Sequence, residues 1–210
     1  MRTLAIECAT EACSVALFDD DEAIGASHQE LGRGHAERLI PAIAELPDKG
    51  RADRILVSLG PGSFTSVRIG LAAARALGLA WKAQVLGYPT LALVVCDLCD
   101  PLLATAIACM NGGHGEWFVQ EFDEFGIPNA DARSLTPRQT AQLYGANEPD
   151  LIVGGKAKEL AELCGQEAGI YQRLPNASHA VYLPEKLLTT DLTPIYGRAP
   201  DAKLPQAQKS

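Results

Sequence analysis

The chain has 210 residues, 47% hydrophobic and 21% charged, with 18 Lys and Arg against 26 Asp and Glu for a formal net charge of -8. That apolar share excludes a disordered chain, and the length allows one large domain or two small ones, each with its own core. The acidic surplus excludes a protein that grips nucleic acid over a broad surface unaided, because such binding sets Lys and Arg against phosphates.

No run reaches about 18 apolar residues, so no transmembrane helix is predicted. Glu7 interrupts the first apolar run, which is too short for a signal peptide, and a cytoplasmic location is expected. The six cysteines (Cys8, Cys13, Cys96, Cys99, Cys109 and Cys164) are scattered through a chain of ordinary core composition, as reduced and mostly buried thiols would be.

Arg2 to Cys8, Cys13 to Phe18 and Ala23 to His28 are short apolar runs, the last two separated by Asp19-Asp20-Asp21. They predict an antiparallel meander instead of the strand–helix–strand opening of a dinucleotide-binding fold. Leu39, Ile43 and Leu46 recur on one face of a helix predicted from His35 to Leu46, kinked or started by Pro41. Arg54 to Leu59 reads as a buried strand, Gly60 to Thr65 as a loop, Ser66 to Trp81 as a helix, Val85 to Gly87 as a strand and Thr90 to Leu98 as a helix.

Near residue 104 the pattern restarts. Ala106-Ile107-Ala108-Cys109 echoes Ala5-Ile6-Glu7-Cys8 at an offset of 101, and a second strand follows each, Ser14 to Phe18 and Glu116 to Phe122. Two related subdomains follow from this, residues 1–103 and 104–210, each opening with a β-hairpin. Thr136 to Tyr144 reads as a helix with Pro137 in its first turn, Leu151 to Val153 as a strand and Lys156 to Cys164 as a helix. From Thr189 the composition turns to Pro, Ala, Lys and Gln, and the last dozen residues are predicted to be a flexible tail.

Four local features carry chemistry. In the Gly60-Pro61-Gly62-Ser63-Phe64-Thr65 loop, Gly60 and Gly62 free the backbone to turn N–H groups inward, and Ser63 or Thr65 can cap the next helix. It is either an anion cradle or a tight turn without a ligand; without a Gly-Lys-Ser/Thr ending it is no Walker loop. Gly70, Ala74 and Gly78 form a small-residue stripe flanked by Ala73 and Leu77, which suits close helix packing within the chain or against a subunit. Cys96-Asp97-Leu98-Cys99 lacks a second cysteine pair and an electropositive setting, which favours packing over zinc or redox chemistry. His35 is followed one turn later by Leu39, so it lacks the second ligand of a helical metal pair, and His114 sits in a glycine-rich turn.

Leu4-Ala5-Ile6-Glu7-Cys8-Ala9-Thr10, His35-Ala36-Glu37-Arg38-Leu39-Ile40-Pro41 and Gly60-Pro61-Gly62-Ser63-Phe64-Thr65-Ser66-Val67-Arg68-Ile69-Gly70 together resemble the TsaB (YeaZ) family. The third block is the most specific. The resemblance covers the first hundred residues well and the second half mainly in length and in its opening hairpin. It implies an α/β fold of the actin, sugar-kinase and Hsp70 class (ASKHA), with two related subdomains on mixed sheets flanked by helices. It also implies a non-catalytic, activating subunit in the making of N6-threonylcarbamoyladenosine in tRNA.

In that setting the partners are a TsaD-like catalytic paralogue, which holds the metal, and a TsaE-like ATPase; tRNA is met only through the complex. Alone, the same face could pair two copies. The implied partner-binding residues are His35, Leu39, Ile43, Leu46, Arg68, Gly70, Leu71, Ala74 and Gly78, on two helices that join a four-helix bundle. No tightly bound cofactor and no metal are expected; the resemblance allows ATP or ADP near the partner interface in the assembled complex, and the loop offers Gly60, Gly62, Ser63 and Thr65 as candidate phosphate contacts.

The sequence also departs from the family pattern. Glu7-Cys8-Ala9 stands where Asp-Thr-Ser is usual, Ser66 where Gly is usual, and Asn111-Gly112-Gly113 where Asp-Ala-Arg is usual, while Leu39 stands where the catalytic paralogue has a second histidine. The second functional reading is an independent enzyme, either an ASKHA ATPase or phosphotransferase or a metal-dependent endopeptidase.

Overall fold

Alternation of side chains along five strands decides what covers each face of the first sheet. The computed structural model describes residues 1–98, 104–145, 149–166 and 169–197. β1 (Arg2–Glu7), β2 (Ala12–Asp19), β3 (Glu22–Glu30), β4 (Arg54–Ser58) and β5 (Gln84–Tyr88) form one sheet in the order β3-β2-β1-β4-β5. The hairpins are antiparallel, and β1–β4 and β4–β5 are parallel. Leu4, Ile6, Val15, Leu17, Ile55 and Val57 line the outer face, where α1 (His35–Ala44) and α2 (Phe64–Trp81) cover them with Leu39, Ala42, Ile43, Val67, Leu71 and Ala74. Ala5, Ala16, Phe18, Leu56 and Tyr88 line the inner face, since side chains two apart on a strand share a side.

The second half repeats this plan. β6 (Ala106–Gly113), β7 (Glu116–Phe122), β8 (Arg133–Leu135), β9 (Leu151–Val153) and β10 (Gly169–Tyr171) form a sheet in the order β10-β9-β6-β7-β8. Counted from its own first strand, each sheet runs third, second, first, fourth, fifth. α4 (Pro137–Tyr144) and α5 (Ala157–Cys164) take the places of α1 and α2 and bury Ile107, Cys109, Val119 and Ile152 with their own Tyr144 and Leu160. The Ala-Ile-x-Cys echo therefore falls on equivalent first strands: Ile6 pairs with Val57 and Ile107 with Ile152, both facing outward. This is the two-subdomain ASKHA arrangement. Between the sheets lies one apolar layer that includes α3 (Thr90–Val95) and inner residues of both halves, among them Ala5, Ala16, Tyr88, Leu91, Ala108, Met110 and Phe122.

Most predicted elements stand within two residues of their expected bounds. The helix expected from His35 to Leu46 ends at Ala44, with Pro41 accommodated inside it, and Leu46 follows in extended backbone with its side chain still buried. α2 starts at Phe64 because Ser63 caps it, its Oγ accepting the Ser66 N–H. The helix expected over Thr90–Leu98 stops at Val95. α4 carries a full capping box between Thr136 and Gln139. β8, β10 and the 3-10 turns at Ala177–Tyr182 and Glu185–Leu187 had no sequence signal, being three to six residues long and without a clear period.

The largest departure is at the C-terminal end. The expectation assigned everything from residue 104 onward to the second subdomain and its tail, yet residues 176–197 run back across the first. Asn176 Oδ1 accepts the Ser14 hydroxyl, Arg54 pairs with Glu185, Thr189 exchanges two backbone hydrogen bonds with Gly87, and the Ile195 N–H donates to Leu59 O (2.7 Å). This strap gives the edge strand β5 a backbone partner at Gly87 that it would otherwise lack. The predicted flexible segment, the last dozen residues, lies outside the described residues.

The shared inner layer predicts one cooperative unfolding transition. Trp81 belongs to the first subdomain and Trp117 to the second. The denaturant midpoints of Trp81→Phe, which reports on the second half, and Trp117→Phe, which reports on the first, are expected to coincide after each is referenced to its own circular dichroism midpoint. Leu91→Ala, at a fully buried position, is expected to cost about 2–5 kcal/mol by both probes.

Candidate functional site

β1 delivers Glu7 to the inner face of the first sheet, where it is fully buried. Its Oε1 accepts the Ala9 N–H at 2.6 Å, and Oε2 lies 3.4 Å from the Tyr88 hydroxyl, which donates chiefly to Ile6 O at 2.9 Å. The Ser58 hydroxyl also bonds the carboxyl and meets Thr90 Oγ1 at 2.5 Å. Burial raises the Glu7 pKa to about 7, and these hydrogen bonds pull against the rise without cancelling it. The same burial pushes the Tyr88 hydroxyl well up. At the matching position of the second sheet stands Ala108, so the carboxyl belongs to the first half alone. Sequence reading marked Glu7 as a departure but missed Ser58, Tyr88 and Thr90; for Ser58 and Tyr88 the available signal was alternation onto the same face as Ala5 and Leu56, while Thr90 opens α3 and has no such signal.

The loop after β4 approaches this group from the side of α2. The Ser63 N–H donates to Ala9 O (2.7 Å) and the Gly60 N–H to Ser58 Oγ (3.4 Å), while Pro61 has no N–H to give. A Cβ on Gly62 would stand 2.2 Å from Ala9 O, and one on Gly60, whose φ is +98°, would stand 2.6 Å from Ile195 O. The glycines thus serve close backbone approach. Of the expected phosphate contacts, Gly60, Gly62 and Ser63 are gathered here and Thr65 is exposed on the first turn of α2. Carbonyl oxygens of Ala9 and Ile195 lie beside Gly62 and Gly60, and the N–H groups of Ser63 and Gly60 are bonded within the chain. Across the mouth of the two opening hairpins, Asn111 Nδ2 donates to Glu11 Oε1 at 2.8 Å.

The helix residues expected at a partner surface lie in the interior. Leu39, Ile43, Leu46, Leu71 and Ala74 are buried in the outer core of the first sheet, and His35 is buried with Nε2 3.2 Å from Ala12 O. Gly70 and Gly78 are buried because α2 rests on its own sheet: added Cβ atoms would stand 2.8 Å from Cys8 Sγ and 2.4 Å from Val85 Cγ2. The small-residue stripe is therefore packing within the chain. A helix must bury its most apolar stripe against the sheet beneath it, so the periodicity that marked these residues marked the core. Only Arg68 of the set is exposed. Cys96 is buried, its thiol donating to carbonyls of Leu93 and His179, and Cys99 lies outside the described residues. His114 occupies the β6–β7 turn with a φ of +51°.

The outward side of these helices carries a different set. On α1, Ala36, Ile40 and Ala44 recur every four residues, and on α2, Ala72, Ala76 and Leu79 do the same at four and three; all are exposed. Ile40 is 50% and Leu79 85% exposed, and α1 and α2 pack side by side. At the start of α2, Arg68 lies over the Phe64 ring, and its Nη2 donates to the Tyr196 hydroxyl of the strap.

A family profile described as TsaD, tRNA N6-adenosine threonylcarbamoyltransferase, matches residues 24–190. The tRNA threonylcarbamoyladenosine biosynthesis protein TsaB of Escherichia coli K12 is 36% identical over 135 residues, 60% of this chain and 58% of that protein, so the match spans little more than half of that relative. Among solved structures, YeaZ from Pseudomonas aeruginosa superposes with a TM-score of 0.75 at 24% identity, covering 93% of this chain and 99% of that one. A protein described as similar to peptidase YEAZ, from the same organism, gives 0.72 at 26% identity over 87% and 89%.

The Glu7 geometry sets a pH dependence. Its folded pKa, about 7, stands above the unfolded value near 4.5, so the folded state holds more protons between those values and stability falls as pH rises through that window, by about 3 kcal/mol at most. Glu7→Gln is expected to flatten this slope in urea titrations across the window and to be the more stable protein above it. Gly62→Ala is expected to destabilise by roughly 1–3 kcal/mol in the same assay, since Ala9 is held in β-hairpin backbone.

Proposed function

The chain belongs to the TsaD family, on its TsaB/YeaZ branch, and from that premise we propose that it takes part in tRNA threonylcarbamoyladenosine biosynthesis as a non-catalytic subunit that binds a TsaD-like paralogue. The observation that carries this reading is the exposed apolar strip of α1 and α2, with Ile40 and Leu79 as its large side chains. The buried stripe of each helix is already used by the chain's own sheet, so the strip is what the helices have left to offer a partner.

The subunit contributes shape, not chemistry. Leu39 stands where the catalytic paralogue has a metal ligand, beside a histidine that is bonded to Ala12 O, and the Gly60 loop turns the Ser63 and Gly60 N–H groups onto Ala9 and Ser58. These features count against an independent ATPase or metallopeptidase. In this reading a TsaE-like ATPase, any ATP or ADP and tRNA are engaged through the assembled complex, where a partner supplies the basic surface that a chain of net charge -8 lacks.

Copurification with a TsaD-like protein tests it. Ile40→Arg and Leu79→Arg are expected to leave the circular dichroism and thermal midpoint of the isolated chain near wild type and to weaken association at least tenfold. Retained association in both variants overturns the reading. Arginine at Ala74 or Gly78 would instead report on folding, because those positions are sealed against the sheet.

A further inference from the structure

We propose that Phe64, Arg68 and Tyr196 form a prearranged clamp for a carboxylate on the partner protein, at the N-terminal end of the α2 strip; this rests on the partner-binding reading above and adds the chemistry of one contact. The guanidinium carbon of Arg68 stands 3.3 Å from the centroid of the Phe64 ring and 5.7 Å from that of Tyr196. The two rings are 5.8 Å apart and inclined by 28°. Arg68 Nη2 donates to the Tyr196 hydroxyl at 2.7 Å. One face and one donor of the guanidinium are thus engaged, and the planar group is held in place with further donors remaining at its edge.

All three side chains are exposed, Phe64 at 59% and Tyr196 at 49%. Tyr196 is held in turn by the strap. Ile195 N–H donates to Leu59 O, Arg75 Nη2 donates to Leu192 O at 3.0 Å, and Asp191 Oδ1 accepts from both the N–H and the hydroxyl of Thr193. Arg68 and Arg75 are seven residues apart and therefore share one line along α2, beside the apolar strip.

Charge identifies the occupant. Arg2, Arg38, Arg54 and Arg173 each meet a carboxylate of their own chain. Arg68 and Arg75 meet none among the described residues, nor do Arg33 and Arg51, in a chain with 26 acidic residues; Arg68 differs from these in having its guanidinium held by Phe64 and Tyr196. A fixed, unpaired guanidinium fork matches a carboxylate with two parallel hydrogen bonds, and holding it in advance removes the side-chain ordering cost of the contact. RNA phosphate would meet the same fork but also the repulsion of a net charge of -8.

The test measures association of the full chain with its TsaD-like partner at low and high salt. Arg68→Glu is expected to weaken association roughly tenfold or more at low salt and by less at high salt, with an unchanged thermal midpoint for the isolated chain. In the Arg68→Lys variant, a carbodiimide is expected to join the new amine to an Asp or Glu of the partner, located by mass spectrometry. Unchanged affinity in Arg68→Glu while Leu79→Arg abolishes binding overturns the clamp and leaves the partner reading standing. Failure of the wild-type pair to associate overturns both. Binding of the isolated chain to tRNA that Arg68→Glu abolishes would assign the clamp to RNA and overturn the proposal.

Discussion

The apolar layer between the two sheets is the constraint on which the other features depend. Each sheet has a pair of helices for its outer face, but the inner layer is filled by α3, the turn at Ala177–Tyr182 and the inner residues of the two sheets. Neither half can bury both faces without its counterpart. Alanines at positions 5, 16, 92, 106 and 108 leave space in this layer for Phe18, Tyr88, Met110 and Phe122. Glu7 is the ionisable exception at its margin, kept by hydrogen bonds from Ala9, Ser58 and Tyr88 and by a pKa that burial moves toward neutrality.

This arrangement divides the helices of the first half into two sides with different roles. Their sheet-facing stripes complete a core, and their outward strips keep a run of small residues interrupted by Ile40 and Leu79. Small residues let another backbone approach closely, and two large apolar side chains give such an approach something to bury. The loop between β4 and α2 contributes rigidity to the same region: its glycines let the chain lie against Ala9 and Ile195, and Ser63 starts the helix in a fixed direction. These contacts make a firm base for α2.

Much of the fold was legible in the sequence because its signals are local. Apolar strands of five or more residues, most of them buried on both faces, the capped start of α2 and the capping box of α4 are written in neighbouring residues. The restart near residue 104 and the Ala-Ile-x-Cys echo pointed to a duplicated plan, and the common strand order is that plan. The site was less legible. Periodicity finds the stripe that a helix buries but does not distinguish a partner from the chain's own sheet, and the partner residues that the resemblance implies, such as Leu39, Ile43, Gly70 and Gly78, fall on that stripe. The outward residues Ile40 and Leu79 stand in the same helices at the same spacing, marked only by being large and apolar on the opposite side. The strap left no periodic trace, because its contacts are hydrogen bonds to residues more than a hundred positions away, such as those of Ile195 with Leu59 and Thr189 with Gly87.

That strap also bears on the order in which the molecule is completed during synthesis. Domains made first usually finish folding first, as the chain leaves the ribosome from its N-terminus. Here the first-made half keeps an edge strand, the Gly60 loop and one flank of α2 waiting for residues 189–197, more than a hundred positions later. Its inner face waits as well, for a sheet that begins at Ala106. The half that emerges first is therefore the half that is finished last. The α2 surface it would offer to a partner takes its final form only once residues 189–197 have been made.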